Sequence, residues 1–101
     1  MSHFVELVTF KTKAGVTPEQ VVSAAAGVNR FLTAQGGFIS RHLGQSEDGA
    51  WHDILFWESR DSVMAAMEKA MSSAHCAGFF GLIDEAEDNM ALFPALMSVA
   101  G

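Results

Sequence analysis

Apolar and polar residues alternate at the two-residue period of a strand in HFVELVTFK, residues 3–11, a stretch rich in Val, Phe and Thr. The alternation sets Phe4, Glu6, Val8 and Phe10 on one side and Val5, Leu7 and Thr9 on the other. Gly15 breaks the pattern, and TPEQ opens a helix: Thr17 as N-cap, Pro18 at the first helical position, Gln20 closing a capping box. Val21, Ala25, Val28 and Leu32 then recur at helical spacing until Gly36-Gly37 ends the segment. FISRHLGQS, residues 38–46, predicts a second strand, Asp48-Gly49 a hairpin turn, and WHDILFWE a third strand. Ser59 caps a second helix with Asp61 in its first turn and Val63, Met64, Met67, Ala70 and Met71 on its buried flank. Residues 74–89 predict a short apolar helical turn and an acidic loop. MALFPAL, residues 90–96, is the fourth strand, with Pro94 at an edge or a strand end.

The order β-α-β-β-α-β predicts an α+β, ferredoxin-like fold, a four-stranded antiparallel sheet with two helices on one face. At 101 residues the chain is expected to form a single domain over 1–101. The uncovered sheet face carries Val5, Leu7, His52, Ile54 and Phe56. A bare apolar face is an association surface, so a homodimer packed through the sheet faces is expected.

Composition narrows the function. Half of the residues are hydrophobic, the net charge is −6, and the six Lys and Arg are scattered. That leaves no basic footprint for nucleic acid or anionic lipid. A single cysteine, Cys76, allows no intrachain disulfide, and no Cys/His cluster has zinc spacing. No apolar run approaches the ~20 residues of a membrane span, and the N-terminus lacks a signal-peptide pattern. The expectation is a soluble, cytoplasmic protein with no metal or flavin motif and no cofactor.

The third strand poses the chemical question. Trp51, Asp53, Leu55 and Trp57 share one face, so an acid sits between two indoles. A two-residue turn or a four-residue loop in the hairpin places His42 on the Asp53 face, whereas a three-residue loop places Arg41 there. The strong Asp48-Gly49 turn signal favours His42. A His42–Asp53 pair in an apolar setting suits proton abstraction from a phenol, the carboxylate orienting the imidazole and raising its basicity. It equally suits a structural polar pair. Glu6 is a second carboxylate candidate on the same side of the sheet. Trp51, Trp57, Phe79 and Phe80 offer flat walls for an aromatic ligand, and Met67 an adaptable one.

FVELVTFKTKAG, the hairpin and above all WHDILFWESRDSVMAAM resemble the antibiotic biosynthesis monooxygenase-like family of dimeric α/β barrels. The resemblance spans nearly the whole chain and implies a ligand cavity between helices and sheet. Quinone-forming members carry an Asn and, four residues later, a Trp on strand three. Asp53 and Trp57 occupy the matching positions, with Asp in place of Asn. The tyrosine that some members carry on helix two falls near Val63. Haem-degrading members use an Asn, a Trp and a His; His75 matches the His, while Val8 and Ala65 or Ala66 stand at the other two positions.

The resemblance thus implies a cofactor-independent monooxygenase, or a related isomerase, acting on a small aromatic or polyketide-like molecule. His42, Asp53 and Glu6 would be catalytic, and Trp51, Trp57, Val63, Met67, His75, Phe79 and Phe80 would bind substrate. The alternatives are a haem-binding or haem-degrading protein with His75 as ligand, and a non-catalytic dimeric ligand-binding protein.

Overall fold

The computed structural model describes residues 3–101. Seven elements follow in order: β1 (Phe4–Phe10), α1 (Pro18–Thr33), β2 (Phe38–Gln45), β3 (Trp51–Trp57), α2 (Arg60–Ala70), α3 (Ala74–Phe80) and β4 (Asn89–Pro94). A single 3-10 turn, Glu85–Glu87, precedes β4. The four strands form one antiparallel sheet in the order β2-β3-β1-β4, the ferredoxin-like arrangement.

Local chemistry explains the helix ends. The Thr17 side chain accepts from the Gln20 N–H at 3.2 Å, and Thr17 N–H donates to Gln20 Oε1 at 2.8 Å, completing the capping box that starts α1. Ser59 accepts from the Ser62 N–H to start α2. Ser73 accepts from the His75 N–H, so the apolar turn after α2 becomes a seven-residue helix in its own right. That third helix lengthens the two-helix plan without altering the sheet.

The register fixes the two faces. Phe4, Glu6, Val8 and Phe10 of β1 stand opposite Trp57, Leu55, Asp53 and Trp51 of β3, so all eight share the face beneath the helices. Phe10, Trp51, Leu55 and Trp57 join Val21, Ala25, Val28, Phe31 and Leu32 of α1, Val63 and Ala66 of α2, and Cys76 and Phe79 of α3 in one buried cluster. Phe10 stacks on Trp51 at 6.3 Å and meets Phe79 edge-on at 5.5 Å. Two side chains expected on the buried flank of α2, Met64 and Met71, are instead 44% and 81% exposed. Val63 and Ala66, three apart, form the seam, and those methionines fall to either side of it.

Val5, Leu7, Thr9, His52, Ile54, Phe56 and Phe93 occupy the opposite face, which no helix covers. Residues 95–101 follow β4 with Ala95 N–H bonded to the His3 carbonyl, and leave Leu96, Met97 and Val99 about nine-tenths exposed.

Candidate functional site

The site is a cavity of about 510 Å³ between the covered sheet face and the three helices. Val28, Phe31 and Leu32 come from α1, Ala66, Met67 and Ala70 from α2, Cys76, Phe79 and Phe80 from α3, and Leu55 and Trp57 from β3. Its wall is apolar apart from three charged side chains on the sheet, Glu6, Arg41 and Asp53, and two carboxylates at the rim, Glu85 and Asp88. A mostly apolar hollow with a few convergent polar groups is the ordinary form of a small-molecule site.

The hairpin decides which residue meets Asp53, and the expected His42–Asp53 pair is not formed. Ser46 N–H donates to the Ala50 carbonyl at 2.9 Å, closing a loop of three residues, Glu47, Asp48 and Gly49. Gly49 has φ +90°, the left-handed conformation that ends a three-residue hairpin loop. The Asp48 carboxylate braces the loop, accepting from Ser46 Oγ at 2.6 Å and Ala50 N–H at 3.0 Å. Those bonds, the Ser46 one first, hold its carboxyl below the usual range. With an odd loop, Arg41 stands opposite Leu55 and Leu43 opposite Asp53, while His42 stands opposite Ile54 on the uncovered face. There the exposed His42 ring packs edge-on against Phe56.

Arg41 therefore takes the place expected for His42. Its Nε and Nη2 donate to the two oxygens of Asp53 at 2.8 and 2.6 Å, a bidentate pair with both side chains more than nine-tenths buried. Nη1 donates to the Ala25 carbonyl at 3.1 Å and to Asn29 Oδ1 at 3.0 Å, both on α1. The guanidinium also lies 5.3 Å from the centre of the Phe79 ring. One side chain thus ties β2, β3, α1 and α3 together. Of its five N–H donors, four are committed, and one on Nη2 has no protein partner among the described residues.

Glu6 lies on β1, beside Leu55. Trp57 Nε1–H donates to its Oε1 at 3.0 Å. Its Oε2 bonds no protein group among the described residues, yet no buried side-chain oxygen there lacks a partner, so Oε2 keeps its opening to the cavity. Burial pushes the Glu6 carboxyl above its ordinary value, the Asp53 charge adds to that, and the Trp57 bond and Arg41 oppose it in part. A carboxyl raised by burial and facing a cavity is a candidate proton acceptor.

Of the other candidates, Trp57, Met67, Phe79 and Phe80 line the cavity. Trp51 and Val63 are buried behind the wall, Trp51 against Phe10 and Val63 fully enclosed. His75 is exposed on α3 and forms no part of the lining, so a haem ligand inside this cavity would not come from it. Sequence reasoning missed Ile83, Glu85, Asp88 and Met90, which the chain between α3 and β4 brings to the cavity, and Met71 joins them from the end of α2. Cys76, the single cysteine, lies in the wall, its thiol pushed up chiefly by burial. Among the described residues, no cluster of His, Cys, Asp and Glu has the geometry of a metal site, and no helix is long and apolar enough to cross a membrane.

This fold places the chain in the class of ferredoxin-like α+β proteins, with a cavity between its sheet and its helices. Among solved structures it is similar to SnoaB, a cofactor-independent oxygenase from Streptomyces nogalater, at 18% identity over the whole of both chains and a TM-score of 0.79. It is also similar to the monooxygenase ActVA-Orf6 of Streptomyces coelicolor, solved with nanaomycin D, at 22% identity over 99% of this chain and 93% of that one, TM-score 0.74. A dimeric ferredoxin-like protein of unknown function from Thermobifida fusca matches 93% of this chain and 92% of its own at 14% identity and TM-score 0.71. No family model and no curated protein matches the sequence. The chain has the fold of the antibiotic biosynthesis monooxygenase-like proteins that its sequence resembles.

Proposed function

We propose that the protein is a cofactor-independent monooxygenase that oxidises a small hydroxylated aromatic to a quinone, with Glu6 as the base. The observation that carries this reading is the Glu6 carboxyl: buried, raised by its surroundings, fixed by Trp57 on one oxygen and open to an apolar cavity on the other. The likeness to SnoaB and ActVA-Orf6 supports the reaction class.

A phenol lying along Trp57 presents its hydroxyl to Glu6 Oε2, which takes the proton. The spare Nη2–H of Arg41 stabilises the resulting anion. The electron-rich ring passes one electron to O2, giving an aryloxyl radical and superoxide. They join at a ring carbon as a peroxide, which takes the proton back from Glu6. Loss of that carbon's hydrogen with cleavage of the O–O bond leaves one oxygen as a carbonyl and releases the other as water. The balance is one phenol and one O2 in, one quinone and one water out. The dry cavity keeps the radical pair from solvent. His42 has no part in this scheme, and Asp53 serves by holding Arg41.

The same reading includes a homodimer formed through the uncovered sheet faces. The test is oxygen uptake with simple naphthols, using 18O2 to follow the inserted atom into the product. Glu6→Gln should lower turnover by 10² or more, the usual worth of a positioned base, while binding persists. Full turnover in that variant would overturn the assignment.

A further inference from the structure

The outer end of the cavity differs from its floor. Met71 at the end of α2, Phe80 at the end of α3, Glu85 and Asp88 at the 3-10 turn and Met90 of β4 are the exposed residues of the lining. Neither rim carboxylate has a basic partner within 4.0 Å, because the ion pair found among the described residues is Arg41–Asp53 alone. Residues 71–101 contain Asp84, Glu85, Glu87 and Asp88 and no Lys or Arg. Lys11 and Lys13 flank the Thr12–Ile83 bridge nearby, but neither lines the cavity. At the inner end stands Glu6, nine-tenths buried, with Oε2 unpartnered and open to the same space. The one cation of the lining, Arg41, has four of its five N–H donors already held by Asp53, Ala25 and Asn29.

A ligand therefore meets carboxyl groups at both ends, and the one cation of the lining, Arg41, is already paired with Asp53. We propose that the cavity takes a hydroxylated aromatic whose outward end carries a protonated amine, and discriminates against carboxylate-bearing analogues. The inference rests on the reading of the cavity as an aromatic site and names the charge of its ligand. An ammonium at the rim sits between Glu85 and Asp88, its stem against Met71 and Met90 and its charge near the Phe80 ring. A carboxylate placed there loses water, gains no donor and meets two like charges.

The test uses three naphthols alike except for an aminomethyl, hydroxymethyl or carboxyl group on the far ring, titrated near neutral pH by quenching of tryptophan fluorescence. The aminomethyl compound should bind at least ~10-fold more tightly than the carboxyl one, with the hydroxymethyl compound between them and the gap narrowing at high salt. In an E85Q/D88N variant, changed at two exposed positions, the gap should fall to about two-fold, with an unchanged circular dichroism spectrum as the control for folding. A carboxyl compound that binds as tightly as the aminomethyl one, or a preference that survives E85Q/D88N, overturns the inference. If the hydroxymethyl compound binds and is oxidised in that case, only the charge preference falls. If none of the three binds, the reading of the cavity as an aromatic site falls with it.

Discussion

Glu6 and Asp53 are the two buried acids of the sheet, and folding treats them oppositely. Asp53 has a full partner in Arg41, whereas Glu6 has only the Trp57 N–H. With its native value raised above the ordinary 4.5, Glu6 binds its proton more tightly folded than unfolded. Stability therefore falls as pH rises from 4.5 through the raised native value, and the penalty is complete above it. Glu6→Gln keeps an acceptor for Trp57 and removes the ionisation. The variant should match the wild type near pH 4.5 and melt a few degrees higher above the window. Thermal melts across pH check this, and a variant less stable at every pH would show that burial is not what strains Glu6. Asp53→Asn acts the other way. It strips a buried guanidinium of its charge partner, at a cost of about 3–5 kcal/mol. Chemical denaturation should show that loss, and the double change Arg41→Met with Asp53→Leu should recover most of it, since a well-packed apolar pair replaces a buried ion pair at little cost.

At the scale of elements, one loop residue sets the chemistry of the site. Each strand could be read from its alternation, and the buried faces of β1 and β3 follow at once because their register has no bulge. The partner of Asp53 could not be read so directly. A one-residue change in the hairpin exchanges Arg41 for His42, and Asp-Gly favours two-residue turns as well as the three-residue loop found. The signal that separates them is Ser46 two residues before Asp48, whose hydroxyl ties that carboxylate across the loop. The rim of the cavity was less legible still. Glu85, Asp88 and Met90 follow no period and reach the site by the path of the chain between α3 and β4. Two glycines test the loop geometry. Gly49 has φ +90° with open space around it, so Gly49→Ala should cost about 1 kcal/mol from backbone strain alone. Gly37 has φ +80°, and a side chain there would overlap Ser62 at the start of α2. Gly37→Ala should therefore destabilise distinctly more than Gly49→Ala, and paired urea titrations give the ranking directly.

At the scale of the molecule, the two faces of the sheet have different fates. One is closed by three helices around the cavity, and over the other no helix lies, although Val5 is buried there. Leu7, Ile54 and Phe56 are half-buried there, with Ile39 and Phe93 about 40% exposed at its sides. Leu96, Met97 and Val99 stand about nine-tenths exposed just beyond β4, too apolar for a free tail. A chain this small buries only ~60–65% of the surface its unfolded form exposes, so a second copy on that face would add much of the missing burial. Two sheets packed face to face sit about 10 Å apart with side chains interleaved, and Phe56 near the middle of the face would then be enclosed. The expected mass by light scattering is twice the 10.8 kDa of the chain. Phe56→Lys places a charge at the centre of the contact and should give a monomer at micromolar concentration, with a lowered melting temperature because the bare face returns to water. Truncation after Pro94 should weaken the dimer without abolishing it, since it removes Leu96, Met97 and Val99 but leaves the sheet face intact. A wild-type monomer, or a Phe56→Lys protein that remains dimeric, would place the contact elsewhere on the molecule.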